Sequence, residues 1–226
     1  MRKLLFVCLG LLICSPAHAV MVMFNPDDTT YIKGDNGLNI GANFGSSTQL
    51  SADFNSFTRI LIRDSSIFPT VPLGSTIDSA ILELDRTNPS IGNISVHRVI
   101  TSWDEGVVTW DNFNSGGTAG TDYAAAAGTV YVPGSTGAAD PIDAIDITSI
   151  VQEWSNGAAN EGVILINDNN DGVLYRSDDD TTVGGAVPKL TINYSTAVIP
   201  EPSAFLLLGL VACGFGARKV KSWKKS

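Results

Sequence analysis

The chain has 226 residues, a formal net charge of −9 and 44% hydrophobic residues. Its cysteines, Cys8, Cys14 and Cys213, all lie near the two ends, so the region between them has no disulfide and no thiol nucleophile. Between residues 20 and 199, seven lysine and arginine residues stand against 22 acidic residues, and the net charge of −15 excludes nucleic acid and disfavours acidic polysaccharide as partners.

The N-terminus has the composition of a secretory signal peptide. Arg2 and Lys3 precede an apolar run of about ten residues, which is too short to span a bilayer. Ala17 and Ala19 then place small residues at the two positions that a signal peptidase reads. We therefore predict a signal peptide over residues 1–19, cleaved after Ala19, and export of the rest of the chain.

Residues 20–197 are predicted to form one all-β domain. Short segments of alternating apolar and polar residues are separated by Gly, Asn, Asp and Ser, which are typical of turns. In one such segment, Ile60 and Ile62 share a face. The candidate strands are 29–33, 58–63, 76–86, 94–100, 107–110, 129–132, 142–147, 163–167, 173–177 and 189–194. Their spacing predicts an antiparallel β-sandwich or jelly roll.

One short helix is predicted where apolar residues recur at i, i+3, i+4 and i+7 and so form a single stripe. These residues are Ile147, Ile150, Val151 and Trp154. Gly157 follows three residues later and suits the left-handed C-terminal cap of a helix. We expect about two turns of helix that close one end of the sandwich, with Trp154 buried.

Aromatic side chains are the candidates for carbohydrate binding, because their faces stack on the apolar faces of sugar rings. Trp103 and Trp110 flank a turn and are interpreted as core residues, with sugar binding as the alternative. Phe113, Tyr123 and Tyr131 lie in Gly- and Ala-rich segments, where we expect them to be exposed. An aromatic binding platform is therefore predicted at these last three residues.

An Asn- and Asp-rich segment is the candidate metal site. Positions 1, 3, 5 and 12 of an EF-hand-type loop are matched by Asn167, Asn169, Asp171 and Asp178. Oxygen ligands at alternate positions suit calcium, which is the one cofactor that the sequence suggests. Asn at position 1 and the lack of flanking helices favour the alternative, a hairpin turn, for which Asn, Asp and Gly are the usual residues.

The domain lacks the side chains of common catalytic sites. His97 is the only histidine after residue 19, and residues 20–197 contain no cysteine and no Gly-x-Ser-x-Gly motif. Asp104 and Glu105 resemble the carboxylate pair of a glycoside hydrolase, but adjacent residues on a turn rarely face one substrate. We therefore predict a noncatalytic protein, with an unrecognised glycoside hydrolase as an alternative.

The C-terminal segment, 198–226, is predicted to cross a membrane. Its apolar part has about fifteen residues, or about 22 Å of helix, against about 30 Å for the hydrocarbon core of a bilayer. A basic cluster follows and places this end in the cytoplasm: Arg218, Lys219, Lys221, Lys224 and Lys225. The segment is interpreted as a short permanent anchor or as a sorting signal.

Pro200, Glu201 and Pro202, the short span and the basic end together resemble the PEP-CTERM protein-sorting domain. The resemblance implies that an exosortase processes the chain near this tripeptide. An inner-membrane intermediate would then be transferred to the cell surface or extracellular matrix of a Gram-negative bacterium. Signal peptidase and exosortase are the partners that this route implies.

The domain resembles the DNRLRE domain, which is similar to carbohydrate-binding module family 96. The resemblance depends on segments that occur in one order, namely 43–50, 74–82, 96–99, 101–110, 146–154 and 188–194. It implies a noncatalytic β-sandwich module of secreted or surface proteins that contacts extracellular polysaccharide. A structural or adhesive surface protein with no defined sugar site is the alternative.

Overall fold

The computed structural model describes residues 19–88, 92–134, 142–182 and 187–196. All of them belong to one unit, Ala19–Thr196, of the two into which the chain divides. Residues 1–18 of the predicted signal peptide, Pro200-Glu201-Pro202 and the predicted membrane segment lie outside the described residues, whereas Ala19 begins the first strand. Within the described residues, no helix is long and apolar enough to cross a membrane.

Two antiparallel sheets contain all the strands that the structure describes. The first sheet consists of β1 (Ala19–Phe24), β3 (Gln49–Ala52), β5 (Thr76–Asn88), β8 (Ile142–Asp146), β10 (Val173–Arg176) and β11 (Lys189–Ser195). Its order is β1-β11-β5-β10-β3, and β8 also pairs with β5. The second sheet, in the order β2-β4-β9-β6-β7, consists of β2 (Asp28–Lys33), β4 (Thr58–Arg63), β6 (Ile94–Arg98), β7 (Thr129–Tyr131) and β9 (Val163–Asn167). The predicted all-β class is confirmed.

The main core lies between the two sheets. Alternation along β4 directs Ile60 and Ile62 toward this core, as predicted, and Leu82 and Leu84 of β5 belong to the same buried cluster. Complete burial of such a side chain contributes about 1.5–3 kcal/mol each. The facing apolar rows of the two sheets therefore supply most of the stability of the sandwich.

The predicted helix is confirmed as α2 (Thr148–Ser155). Ile150, Val151 and Trp154 are buried, and the helix packs against β5. Gly157 has a φ of +105° and its N–H donates to Trp154 O, so it forms the expected left-handed cap. The other helical segments described are a short turn, α1 (Ile67–Thr70), and a 3-10 turn at Asp35–Gly37.

A second buried cluster covers the outer face of the second sheet. Residues 99–123, which follow β6, lie over this face without a regular strand or helix. The cluster contains Ile32, Leu61, Val99, Trp103, Val108, Phe113, Tyr123 and Ile164. Strand β4 is therefore buried on both faces, because Leu61 packs outward while its neighbours pack inward.

The strand predicted at 107–110 is wrong. The N–H groups of Val107 and Val108 both donate to Asp104 O, so the chain turns here instead of extending. Val108 is buried in the second cluster as part of this irregular segment. Strands β1 and β3 were not among the predicted ones.

Candidate functional site

Of the three aromatic residues predicted to form an exposed platform, Phe113 and Tyr123 are buried and Tyr131 is partly buried. Phe113 is 3% exposed and Tyr123 is 8% exposed, and both belong to the second cluster. A Cβ atom at Gly117 would come within 2.7 Å of the Phe113 ring, so the small residues of this segment allow close packing of the rings. The rings cover the apolar outer face of the second sheet, and the prediction of exposure is therefore wrong.

Tyr131 is also unavailable for stacking. Its ring packs against the main core, and its hydroxyl lies 2.8 Å from the hydroxyl of Tyr175. Tyr175 Oη donates to Asp143 Oδ2 over 2.8 Å, and Asp143 also accepts from Arg86 Nη1. Burial raises the pKa of both tyrosines. Tyr131 is thus partly buried, and its hydroxyl is engaged by the buried side chains of Tyr175 and Asp143.

Trp103 is a core residue, as interpreted from the sequence. It is buried in the second cluster, and its indole N–H donates to Glu161 O over 2.8 Å. The Arg63 guanidinium lies 5.0 Å from the ring centroid. Both the polar and the apolar parts of this side chain are therefore occupied within the protein.

The four predicted calcium ligands do not converge. Asn167 Nδ2 donates to Ala52 O and Asp171 O, while its Oδ1 accepts from Asn169 N over 2.8 Å. Asp178 lies beyond the other end of β10, a strand about 13 Å long, and accepts from the Thr29 hydroxyl. Within the described residues, no group of three or more His, Cys, Asp or Glu side chains could hold a metal ion.

The segment at 168–172 is not a hairpin turn either. It connects β9 of the second sheet with β10 of the first sheet, so it forms an arch between the two layers. The buried Asn167 amide fixes its start by the hydrogen bonds described above. The Asn, Asp and Gly residues that suggested calcium therefore form the arch by which the chain passes from the second sheet to the first.

Two other aromatic residues, Phe54 and Phe57, are exposed to solvent. Phe54 is 52% exposed and Phe57 is 43% exposed, and both lie in the turn that connects β3 with β4. Their ring centroids are 6.3 Å apart, with an angle of 37° between the planes. The Trp110 ring stands edge-on to Phe57, with its centroid 6.3 Å away. We refer to Phe54, Phe57 and Trp110 as the aromatic patch.

The turn that carries the two phenylalanines is fixed by Asp53. Its carboxylate accepts from Asn55 N over 2.9 Å and from the Ser56 hydroxyl over 3.0 Å. Its backbone exchanges hydrogen bonds with Thr58. Asn55 Nδ2 also donates to Asn170 O, which ties the turn to the neighbouring arch at 168–172. The aromatic patch is therefore presented by a turn held from two sides.

Phe57 has a backbone conformation that favours glycine. Its φ is +48°, in the left-handed region, where a residue with a Cβ atom costs about 1–2 kcal/mol. Little burial is gained in return, because the residue is 43% exposed. Residues held in such conformations cluster at functional sites. Neither the backbone conformation nor burial therefore accounts for a phenylalanine at this position, and a function of its exposed ring would.

Trp110 supports the patch from one side. Cβ atoms at Gly34 and Gly116 would come within 2.6 and 2.4 Å of the indole, so the ring is wedged between these two backbone segments. The Arg59 guanidinium lies 5.3 Å from the ring centroid and donates to Gly116 O over 2.6 Å. These contacts hold the Trp110 ring in place, and Trp110 in turn supports the Phe57 ring through their edge-on contact.

Glu105, in the segment that leads to Trp110, is held against β2. Its Oε1 accepts from Thr29 N over 2.7 Å, and the Thr29 hydroxyl is bonded to Asp178. Burial, together with the carboxylates of Asp178, Asp28 and Asp179, raises the pKa of Glu105 to about 7. The neighbouring Asp104 carboxylate instead accepts from Gly106 N. Glu105 thus holds its segment against β2, whereas Asp104 stabilises the turn at Gly106.

A cleft of 450 Å³ beside α2 is a weaker candidate site. Gln152, which lines it, accepts from Ile77 N and donates to Ser75 O and Asn156 Oδ1. Asp146 accepts from Thr148 N at the start of the helix. The Gln152 amide and Asp146 Oδ1, two polar groups that line this cleft, are therefore engaged within the protein.

Phe54 and Phe57 were missed because β3 was not recognised from the sequence, whereas Trp110, interpreted as a core residue with sugar binding as the alternative, is partly buried against the second cluster. With β3 known, the two phenylalanines around Asn55-Ser56 mark a turn between strands, and large apolar residues are unusual at such a position. No protein-family model matches the chain, and no curated protein matches it significantly. The exposed aromatic patch is accordingly the feature from which a function can be argued.

Proposed function

We propose that the protein is a noncatalytic, exported surface or matrix protein that binds extracellular polysaccharide through the aromatic patch. The observation that carries this proposal is the exposure of Phe54 and Phe57 on a fixed turn. Aromatic faces pack against the C–H faces of sugar rings. A turn that is already ordered loses little conformational freedom when a ligand binds.

The sequence features at the two ends support export and sorting. A signal peptide over residues 1–19 would direct the chain across the inner membrane with signal peptidase as partner. The tail at 198–226, which resembles the PEP-CTERM domain, would hold an intermediate through a transmembrane helix until an exosortase acts near Pro200-Glu201-Pro202. The binding domain would then function at the cell surface or in the matrix.

The resemblance to the DNRLRE domain supports the same function. A sandwich of two antiparallel sheets is the fold that this resemblance implies, and a noncatalytic module is its usual role. The aromatic patch lies on connections between strands, where binding residues are commonly placed on a rigid scaffold. A DNRLRE-type module that contacts polysaccharide is therefore the assignment we propose.

Affinity electrophoresis with soluble neutral and acidic polysaccharides tests this proposal. The unit Ala19–Thr196 can be used, because the two buried clusters described above lie entirely within it. We expect at least one polysaccharide to retard the unit, and Phe54→Ala to weaken binding by roughly fivefold, or about 1 kcal/mol. Leu73→Ala removes an exposed apolar side chain elsewhere and should leave binding unchanged.

Absence of retardation by any polysaccharide would overturn the binding function. The alternative, a structural or adhesive surface protein with no defined sugar site, would then account for the export signals. Retardation that Phe54→Ala and Leu73→Ala leave equally unchanged would place the binding site away from the aromatic patch.

A further inference from the structure

The aromatic patch lies in acidic surroundings. Asp53 directly precedes Phe54 in the chain, and Asp111 directly follows Trp110 and is exposed. Asp35 is also near the turn, because its N–H donates to Ser56 O. Carboxylates are thus found on three of the segments that form or border the patch.

The two cations in this region are already engaged. Lys33 Nζ lies 3.2 Å from Asp35 Oδ2. Arg59 Nη1 donates to the carbonyl oxygens of both Gly116 and Gly117, and the guanidinium lies beside the Trp110 ring. Neither side chain is placed to form a new ion pair with a ligand carboxylate without giving up these contacts. The three carboxylates thus exceed the two cations by one, and a polyanion on the patch would meet a net negative charge with both cations already engaged.

The rest of the domain strengthens this effect. Residues 20–199 carry a net charge of −15, which creates a repulsive potential for any polyanion that approaches. At physiological ionic strength the screening length is about 8 Å, so the carboxylates beside the patch act on a bound chain more strongly than distant ones. Repulsion should therefore be largest at low salt and should depend on the local charges.

The proximity of the two rings suits a ligand with several flat sugar faces. A sugar ring stacks on an aromatic face through C–H bonds that point away from its flat side. Chains whose hydroxyl groups and linkages are equatorial carry these C–H bonds on both flat sides and extend as a ribbon. Successive sugar rings of such a ribbon can reach both Phe54 and Phe57, whose centroids are 6.3 Å apart and whose planes are tilted by 37°.

We infer that the aromatic patch takes an uncharged, equatorially linked polysaccharide and rejects a carboxylated chain of the same backbone. This inference rests on the proposed function and specifies the ligand of the same site. The aromatic rings supply the attraction, and the surrounding carboxylates supply the discrimination. Binding of the uncharged chain depends on stacking and is therefore independent of salt.

Hydroxyethyl cellulose and carboxymethyl cellulose are suitable probes, because they share one equatorially linked backbone and differ in charge. At low salt we expect the carboxylated polymer to bind at least about tenfold more weakly than the uncharged polymer. At about 0.5 M NaCl this ratio should fall to roughly threefold or less, since the charges are screened. Affinity for hydroxyethyl cellulose should change by less than about twofold between the two salt concentrations.

Equal binding of the two polymers at low salt would overturn this inference and leave the proposed function intact. Binding of other polysaccharides, but not of hydroxyethyl cellulose, would likewise overturn only the choice of ligand. A protein that no polysaccharide retards would fail the proposed function itself.

A charge variant separates the local effect from the overall field. Asp111→Lys replaces an exposed carboxylate beside the patch, whereas Asp78→Lys makes the same change on β5 of the first sheet. We expect Asp111→Lys to raise low-salt affinity for carboxymethyl cellulose by at least about threefold more than Asp78→Lys does. Equal effects of the two variants would show that net charge alone decides, and would contradict discrimination at the aromatic patch.

Discussion

The ring of Phe57 meets the ring of Trp110 edge-on, at an angle of 67° and with 6.3 Å between centroids. The two residues are 53 positions apart in the chain, and Trp110 belongs to the irregular segment that covers the second sheet. The contact therefore links the exposed turn between β3 and β4 to the second buried cluster. It explains how an exposed phenylalanine can be held in one position.

Replacement of Phe57 by glycine should separate binding from stability. Glycine accepts the φ of +48° and so relieves the strain that a Cβ atom causes. This gain offsets the lost ring contacts, and we expect the free energy of unfolding to change by less than about 1 kcal/mol. Polysaccharide affinity should fall by roughly fivefold or more, because one stacking ring is lost.

Thermal melting and affinity electrophoresis on the same Phe57→Gly sample check this prediction. Leu73→Ala, in the connection between α1 and β5, is the control for loss of an exposed apolar side chain. If Phe57→Gly unfolds the domain, the side chain is structural and the functional interpretation of its strain is wrong.

Gly116→Ala should disturb Trp110 directly. The new Cβ atom would lie 2.4 Å from the indole, and the φ of +92° adds backbone strain. Gly37→Ala is a matched control, because Gly37 has a φ of +90° and nothing within 4 Å of its Cβ position. We expect Gly37→Ala to cost about 1 kcal/mol, and Gly116→Ala to cost about 1–3 kcal/mol more.

Chemical denaturation of both glycine variants measures this difference, and tryptophan fluorescence reports whether the indole environment has changed. Equal costs for the two variants would contradict the wedged position of Trp110. A change in fluorescence confined to Gly116→Ala is the expected companion result.

Glu105 should make stability depend on pH in a defined direction. Its pKa is raised from 4.5 to about 7 in the folded state, so the folded protein holds this proton more tightly than the unfolded chain. The stabilising contribution is full below about pH 4.5 and is lost as the pH rises through about 7. Burial first, and then repulsion from Asp178, Asp28 and Asp179, opposes the charged carboxylate.

Glu105→Gln keeps an oxygen that can accept from Thr29 N and removes the titration. We therefore expect its melting temperature to exceed that of the unsubstituted protein above pH 7, and the advantage to shrink toward pH 4.5. Melting curves across this range measure the difference. Glu83→Gln, at the ion pair with Lys189 on the first sheet, should show no such gain. A Glu105→Gln variant that is less stable at pH 8 would contradict the account.

The buried ion pair between Arg86 and Asp143 should be essential for folding stability. Both side chains are only 4% exposed, and Asp143 also accepts from Tyr175 Oη and Gly134 N. Asp143→Ala leaves a buried guanidinium without this carboxylate, and we expect a loss of about 3–5 kcal/mol. Urea denaturation measures it.

Glu153→Ala provides the comparison for the Asp143 variant. Glu153 pairs with Arg98 at the surface, where its side chain is about half exposed, and its loss should cost less than about 1 kcal/mol. Similar costs for the two substitutions would show that the buried pair contributes no more than a surface pair.

The sequence predicted the features that depend on local periodicity. Alternation placed Ile60 and Ile62 on one face of β4, and helical spacing identified α2 with Trp154 buried. Both patterns arise within a few residues, because strand and helix geometry repeat over that distance. The two-sheet class followed from the number and spacing of such strands.

Features that depend on distant parts of the chain were not predictable in the same way. Leu61 is buried on the outer face of β4 only because residues 99–123 return to cover it. Phe113 and Tyr123 were expected to be exposed because nothing near them in the sequence indicates that they pack on a sheet. They are nevertheless buried. Tertiary contacts, and not local composition, decide the burial of these residues.

The predictions of the site residues were wrong because individual strands were missed or misplaced. The strand β3 has only four residues, so its alternation was too short to recognise, and the turn with Phe54 and Phe57 was consequently overlooked. The EF-hand-type spacing assumed a loop that folds back on itself, whereas β10 carries Asp178 away from Asn167. The spacing in the sequence matched the residue types that bind calcium, but the fold does not bring their oxygen atoms together as calcium needs.

The most direct measurement is the affinity of the double variant Phe54→Ala, Phe57→Gly for hydroxyethyl cellulose, compared with that of the unsubstituted unit. We predict that the polymer retards the unsubstituted unit and that this retardation disappears in the double variant, while the melting temperature stays nearly the same. Equal retardation of both proteins, or no retardation of the unsubstituted unit by this or any other polysaccharide, would contradict polysaccharide binding at the aromatic patch.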